Sequence, residues 1–453
     1  MDAAQTELVA SDIDALAAEL EEERFRHVAG LEPEPALARL FPPRSRAAHR
    51  ETVAALRAGG NEELAGRVAA LRAERAQAEE EEAWRAAESA AAGLGPDGTV
   101  SLAGAERALV RERDRARRIA FGRAAAQAAA QASPHREAAV EARARARAEG
   151  GLVPDWRMVV EGDQVLEVSE DGYRDVVAWA ADRELGLAPR PRGDLARADL
   201  LHLLALPRWD GLFPSGMLEV TLKLALDRLG LDVGRIRIDA GERPSKWPGV
   251  HVLGARVSLG RRGGAGDWLD LFRGAGQALA AARHPPHARD PVFAEALGAL
   301  LSSLLLEPRF LAERLDADRK VAKDLVRELS LRELFRLRAR AAALRVATEV
   351  ERGLSGPAWR EAHREALSSA ALAAWDGAFA SRDADAPALA ASLAGAAAAA
   401  RLREEIRERL DEDWWRNPRS AAHLAGLVAA GRLDPGDGVP APRDAARALV
   451  DRL

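Results

Sequence analysis

Apolar residues in the first third of the chain recur at the spacing of amphipathic helices. Ile13, Leu16 and Leu20 show this pattern, with polar residues between them. Long alanine-, arginine- and glutamate-rich stretches follow, and these residue types favour helix. The pattern predicts helix nearly throughout residues 1–150. The expected interruptions are the prolines at 33–43, a turn cluster at 93–98 and Pro134.

The middle of the chain has a different pattern, with more β-branched residues and glycines. Residues 156–168 contain two β-rich runs around a Gly-Asp pair, which predicts a hairpin. Residues 233–238 and 250–257 alternate as strands do, and helical spacing returns from Trp268 to about 417. The chain is therefore predicted to be mainly α-helical with a small sheet near its middle. The predicted regions are an N-terminal helical region, residues 1–150, and a second region, residues 151–453.

Composition narrows the possible functions. The chain has 453 residues, 48% of them hydrophobic, which is enough for a large core. Its net charge of −5 argues against a general nucleic-acid binder. Cysteine is absent, which excludes disulfides, iron–sulfur clusters, cysteine-bound zinc and a thiol nucleophile.

We also expect neither a signal peptide nor a membrane-spanning segment from the sequence pattern. The first 23 residues are acidic, whereas a signal peptide needs a basic start followed by an apolar run. The longest strongly apolar run, from Ala296 to Leu306, is too short to span a bilayer. We therefore expect a soluble, cytoplasmic protein without a membrane partner.

The most informative segment is 242–279, ERPSKWPGVHVLGARVSLGRRGGAGDWLDLFRGAGQAL. It resembles the oligoendopeptidase F and thimet oligopeptidase family of zinc metallopeptidases. In that family a segment like R-P-G-K-R-P-G-A precedes a strand and a helix that begins L-F-H-E-x-G-H-A-L. Residues 243–249 are similar to the first motif. Residues 271–279 are similar to the second motif except at the positions of its two histidines and its glutamate.

Three further segments resemble the same family in the same order along the chain. Ala294-Glu295 is similar to the pair that begins the helix bearing the third zinc ligand. Residues 338–351 are similar to its R-x-x-A-x-x-L-R-x-x-x-E helix, and residues 412–418 to its D-W-W-x-N-P element. The resemblance covers about 170–430. It implies a large two-lobed helical metallopeptidase-like fold around a peptide cleft, with the small sheet beside it.

The chemistry of the family requires residues that this chain lacks. Two histidines four residues apart bind zinc, the glutamate after the first activates water, and a later carboxylate completes the ligand set. The resemblance aligns the histidines with Arg273 and Gln277 and the base with Gly274. Counting seven residues on from Glu295 puts Ser302 at the third ligand. Arginine offers no lone pair and glycine cannot act as a base, so we predict that the zinc site is lost and that no cofactor is bound.

The residues around the lost site are expected to have structural roles. Arg273 would pair with Asp270 or with an acid of a neighbouring helix, and the small residues after it would allow close helix packing. The family's late tyrosine is also missing, because the only tyrosine, Tyr173, lies far upstream. The tryptophans expected as core anchors are Trp247, Trp268, Trp414 and Trp415.

The leading hypothesis is a catalytically inactive, oligoendopeptidase-F-like protein, a pseudopeptidase that binds a peptide or protein partner or acts as a subunit. One alternative is an active metal-dependent hydrolase with relocated ligands, for which His284, His287 and Glu295 are the candidates. Another is a helical adaptor whose interface is residues 1–150. The sequence identifies neither the partner nor the oligomeric state.

Overall fold

A computed structural model gives the structure of this chain. It describes residues 2–152, 154–187, 195–433 and 441–453, except for the side chains of 381–383. Helices dominate, and two small sheets lie among the described residues. The predicted mainly α-helical fold class is therefore confirmed.

Five helices form the N-terminal region. They are α1 (Ala3–Val28), α2 (Arg50–Ala58), α3 (Glu62–Ala90), α4 (Leu102–Arg111) and α5 (Arg115–Glu149). Asp2 and Gln5 cap α1 reciprocally, each side chain accepting a hydrogen bond from the other's backbone amide. The break expected at Pro134 is wrong, because α5 continues through it. Proline removes one hydrogen bond from a helix interior, and the packing of α5 along α3 outweighs that loss.

The turn cluster at 93–98 lies within a short antiparallel hairpin that the pattern did not predict. Its strands are β1 (Ala92–Gly95) and β2 (Gly98–Ser101), which pair from Ala92 with Ser101 to Gly95 with Gly98. Gly93 allows the hairpin to lie directly on α5, since an added Cβ would come within 2.1 Å of the Ala124 carbonyl oxygen.

The hairpin predicted at 156–168 is wrong, because this segment begins the long helix α6 (Trp156–Leu185). Its buried residues include Val159, Gly162, Val165 and Ser169, a three-to-four-residue spacing that belongs to a helix. Gly162 lies against Ala341 of another helix, where an added Cβ would make ordinary van der Waals contact at 3.4 Å. Tertiary packing therefore overrides the local β propensity.

The second sheet lies near the middle of the chain, as predicted. The elements here are α7 (Arg197–Ala205), α8 (Leu218–Arg228), β3 (Arg237–Asp239), β4 (Gly249–Leu253) and β5 (Arg256–Gly260). The strand order is β3-β5-β4, with β3 parallel and β4 antiparallel to β5. The segment predicted as a single strand at 250–257 is instead two strands, joined by a turn at Gly254 with φ +59°.

Eight more α-helices lie among the described residues. They are α9 (Ala265–Arg283), α10 (Pro291–Ser302), α11 (Pro308–Leu315), α12 (Arg319–Glu351), α13 (Gly356–Ala371), α14 (Ala386–Leu410), α15 (Pro418–Ala430) and α16 (Pro442–Val450). Every residue of α9 from Ala265 to Gly276 is buried, which makes it the central helix. The tryptophans predicted as core anchors are all buried, and Trp268, Trp414 and Trp415 belong to the core around α9.

The N-terminal region packs closely against the rest of the molecule, a point that the sequence left open. Arg118 of α5 donates to Asp199 of α7 at 2.7 and 3.1 Å, and both side chains are fully buried. Arg197 makes a bidentate pair with Glu106 of α4 at 3.0 and 3.1 Å. The boundary at residue 150 stays a prediction, but buried ion pairs cross it.

None of the described helices, taken singly, is long and apolar enough to cross a membrane. One helix pair, Pro291–Leu306 with Pro308–Leu315, passes by length and composition, but it is bent by 70°.

Candidate functional site

Helix α9 borders a cavity of about 460 Å³ that is also lined by α7, β4 and α12. Asp270, Arg273 and Gln277 reach the cavity because residues three and four positions apart share one helix face. Asp267 fixes the start of α9 by accepting hydrogen bonds from the backbone amides of Arg262 and Gly263. Burial raises the pKa of Asp267.

A buried ion pair occupies the first of the two α9 positions that resemble metal ligands. The guanidinium of Arg273 donates to the carboxylate of Glu333 on α12, and both side chains are more than nine-tenths buried. Burial alone would raise the pKa of Glu333, but the guanidinium groups of Arg273, Arg336 and Arg332 outweigh it and lower the pKa below its ordinary value. The prediction that Arg273 pairs with an acid of a neighbouring helix is confirmed.

Three arginines surround Asp270. Arg262 and Arg332 donate to its Oδ2 at 2.8 and 2.9 Å, and Arg336 donates to its Oδ1. Burial would raise the pKa of this carboxyl, but the three positive charges hold it far below its usual range. One carboxylate therefore anchors three cationic side chains around the cavity.

Gln277 occupies the second of the two positions and contacts Glu295 of α10. Its Nε2 donates to Glu295 Oε1 at 2.8 Å, while Arg340 and Ser392 donate to Glu295 Oε2 at 3.3 and 3.2 Å. Burial, with the charges of Arg336 and Arg273, lowers the pKa of Arg340 to about 10 despite Glu295. The position aligned with the second histidine is thus part of a hydrogen-bonded network.

Gly274, aligned with the general base, has no room for a longer side chain. An added Cβ would lie 2.7 Å from Val250 Cγ1 and 3.1 Å from Val252 Cγ2, both on β4. The valines of this strand pack directly against α9 where the glutamate of the resembled motif would begin.

The structure brings Glu295, rather than Ser302, to Gln277. The Ser302 hydroxyl donates to the carbonyl oxygen of Ala299 within α10 at 3.0 Å. Ser302 borders a second cavity of about 310 Å³, which Arg273 also lines. Counting along the sequence therefore selected a residue outside the network of Gln277 and Glu295.

The relocated metal ligands do not converge, so the site proposed from them is wrong. The Nε2 of His284 lies 3.2 Å from the carbonyl oxygen of Val428, and the Nδ1 of His287 lies 2.9 Å from Asp14. Glu295 is held by Gln277, Arg340 and Ser392. The part of the chain that the structure describes contains no group of three histidine, cysteine or acidic residues that could hold a metal ion.

The residues at the aligned positions do not fit a zinc ion. The guanidinium of Arg273 is engaged with Glu333 and has no lone pair to donate to a metal. The amide nitrogen of Gln277 is directed at Glu295. Tyr173 lies elsewhere, buried with its hydroxyl 3.2 Å from the Ala371 carbonyl oxygen. The side chains at both aligned positions are thus engaged with carboxylates of neighbouring helices.

Sequence reasoning missed five arginines of the cavity: Arg197, Arg262, Arg332, Arg336 and Arg340. Three of them lie on α12, four residues apart, so they share one face of that helix. This four-residue spacing was visible in the sequence. The sequence could not show that this face meets α9.

The sequence matches no family model and no curated protein. Solved structures do match the fold. A Bacillus anthracis str. Ames protein assigned as an oligoendopeptidase F aligns over 95% of this chain and 84% of its own length, at 13% identity and a TM-score of 0.52. A second structure assigned as oligoendopeptidase F aligns over 95% and 84%, at 14% identity and a TM-score of 0.51.

These similarities define the class of fold. The chain has a large, mainly helical peptidase fold. More particularly, its fold matches that of oligoendopeptidase F. At 13–14% identity this likeness concerns the fold alone, and the activity of those proteins does not follow from it.

Proposed function

We propose that this chain is a catalytically inactive protein with the oligoendopeptidase F fold, and that it binds a peptide or partner polypeptide without cutting it. The buried pair of Arg273 with Glu333 carries the proposal. An arginine cannot replace a zinc-binding histidine, because it keeps its proton and has no lone pair. Without a metal, no group at this position lowers the pKa of a water molecule for attack.

Gly274 and Gln277 support the same conclusion. Gly274 has no side chain to accept a proton, and Val250 fills the space where one would begin. Gln277 uses its amide nitrogen in a hydrogen bond to Glu295. The resembled ligands and base are therefore replaced by groups that pack and pair with one another.

Two features support peptide binding. The cavity of about 460 Å³ falls in the range of ligand sites. Gly249 and Val250 of β4 line it, and β4 is an edge strand of its sheet among the described residues. An exposed strand edge can pair with an extended peptide through backbone hydrogen bonds. The matched proteins are named as oligoendopeptidases, and a peptide is the ligand class that this cavity and strand edge accommodate.

The direct test is metal analysis of the purified full chain together with a cleavage assay. We expect less than 0.1 equivalent of zinc, on the order of background, after incubation with the metal, because Arg273 excludes it. An internally quenched peptide library should stay uncut while labelled peptides still bind. Stoichiometric zinc with chelator-sensitive cleavage would refute the proposal.

A designed variant provides the positive control for the metal analysis. Arg273→His with Gln277→His places two imidazoles beside Glu295, which already lies 2.8 Å from the side chain of Gln277. We expect this double variant to gain zinc, and to lose it again when Glu295→Gln is added. Adding Ser302→Ala instead should have no effect, since Ser302 lies outside this network.

A further inference from the structure

The cavity beside α9 carries more positive than negative charge. Six arginines line it, and four carboxylates pair with them: Glu106, Asp270, Glu295 and Glu333. Asp267, which accepts hydrogen bonds from the backbone amides of Arg262 and Gly263, adds a fifth carboxylate beside Arg262. At least one guanidinium charge is thus in excess inside a chain whose net charge is −5. The lining arginines are Arg197, Arg262, Arg273, Arg332, Arg336 and Arg340.

Several of these guanidinium groups are removed from water. The Nε atoms of Arg197, Arg273 and Arg332 are closed to solvent and lack a hydrogen-bond partner, and the Arg273 side chain is 7% exposed. Burial of a cation is costly, and an anion in the cavity would lower that cost by Coulomb attraction to the excess positive charge. The cavity is therefore built to receive negative charge.

Two clusters of positive charge lie along the wall that α12 contributes to the cavity. Arg332 and Arg336 both donate to Asp270, whereas Arg340 donates to Glu295. Strand β4, an edge strand of its sheet among the described residues, lies on another wall of the cavity. An extended peptide can therefore lie along β4 with its side chains facing both clusters.

We infer that the cavity binds an extended acidic peptide segment. Its carboxylates contact the α12 arginines, and its backbone pairs with the edge of β4. This inference rests on the proposed function and specifies the ligand class. The acidic side chains supply the negative charge that offsets the excess of guanidinium groups.

Fluorescence anisotropy of labelled octapeptides tests the inference with the full chain. The probes are an alternating glutamate–alanine peptide and its glutamine–alanine and lysine–alanine counterparts. We expect the glutamate peptide to bind at least about tenfold more tightly than the glutamine peptide. Its binding should weaken as NaCl is raised, because salt screens the attraction between the charges.

Substitutions of single arginines test whether the peptide binds in the cavity. Arg340→Gln should weaken binding of the glutamate peptide about tenfold, and Arg340→Lys should retain most of it because the charge stays. Arg345→Gln is the matched control on the same helix, since Arg345 is 62% exposed and is not among the residues that line the cavity. Thermal melting of each variant verifies that it is folded.

The possible outcomes distinguish failure of this inference from failure of the proposed function. Equal binding of the glutamine or lysine peptide would overturn the inference and leave the proposed function standing. Failure of all three peptides to bind would overturn the inference, whereas zinc-dependent cleavage is the result that would overturn the proposed function. An oligonucleotide of equal charge that binds more tightly than the glutamate peptide would assign the cavity to nucleic acid and would also overturn the inference.

Discussion

A buried arginine at position 273 imposes requirements on the residues around it. The charged guanidinium of Arg273 can be buried because the carboxylate of Glu333 lies opposite. Glu333 in turn stays ionised because Arg273, Arg336 and Arg332 lie close by. Removing one member of such a pair leaves an uncompensated buried charge, whereas the intact pair is nearly neutral for stability. The pairing thus explains why several arginines cluster at this point of the molecule.

His27 provides a prediction about pH at the level of a single residue. Burial and the charge of Arg85 lower the pKa of His27 from 6.5 to about 4, so the folded chain keeps the ring neutral where the unfolded chain takes up a proton. Its stabilising contribution is present above pH 6.5 and is lost as the pH falls toward 4. Between pH 7 and 5 the free energy of unfolding should fall by about 2 kcal/mol on this account.

Urea unfolding at the two pH values measures this loss. His27→Leu should show a loss smaller by about 2 kcal/mol than the wild type. His49→Leu serves as the control, because the His49 side chain is 49% exposed. An unchanged pH dependence in His27→Leu would show that burial of this ring does not control the loss.

At the scale of elements, close contact between helices depends on missing side chains. Gly276 of α9 faces α10, where an added Cβ would lie 2.6 Å from the Leu297 carbonyl oxygen and 2.7 Å from the Gly298 Cα. Gly298 in turn lies against Arg273. The two helices meet through glycines on both sides, as the run of small residues in α9 predicted.

Gly276→Ala should therefore destabilise the protein by about 2 kcal/mol, because the new methyl group forces α9 and α10 apart. Gly66→Ala is the matched control in the interior of α3, where nothing lies within 4 Å of an added Cβ. There alanine should stabilise by about 1 kcal/mol through helix propensity. Chemical denaturation measures both changes, and equal effects would contradict the packing argument.

Sequence patterns predicted elements correctly where a single hydrophobic periodicity dominated a segment. They predicted elements poorly where glycine or proline interrupted that periodicity. The helix at 156–185 was mistaken for a hairpin because Gly162 and Asp163 resemble a turn locally, although Gly162 is a buried position within the helix. At the site, the resemblance led to Arg273 and Gln277. Only the structure shows that Glu295, and not Ser302, contacts Gln277, because a count along the chain cannot say which helix faces meet.

At the scale of the whole molecule, the N-terminal region and the remainder share a buried electrostatic network. Asp199 is fully buried, and Arg118 and Arg115 reach it from α5. Arg143 connects α5 to Asp385 at 3.1 Å and to the carbonyl oxygen of Ala384 at 2.7 Å. Such contacts favour unfolding of the two regions as one unit.

Arg118→Met should lower the free energy of unfolding by about 3–5 kcal/mol, because it leaves Asp199 with one ion-pair partner in a buried position. Arg113→Met, in the exposed loop that precedes α5, is the control. Tryptophan fluorescence in urea should show a single transition for the wild type. Two separated transitions, with only the first moved by Arg118→Met, would show that residues 1–150 unfold independently.

The arginine lining of the cavity has a consequence for how occupancy could be regulated. None of the described residues that line it is a histidine. The pKa of Arg340 is about 10, and those of Asp270 and Glu333 lie below their ordinary values. The charges of these groups stay constant from mildly acidic to mildly alkaline conditions. Acidification of the surroundings would not release a ligand held by these charges, whereas a competing polyanion would.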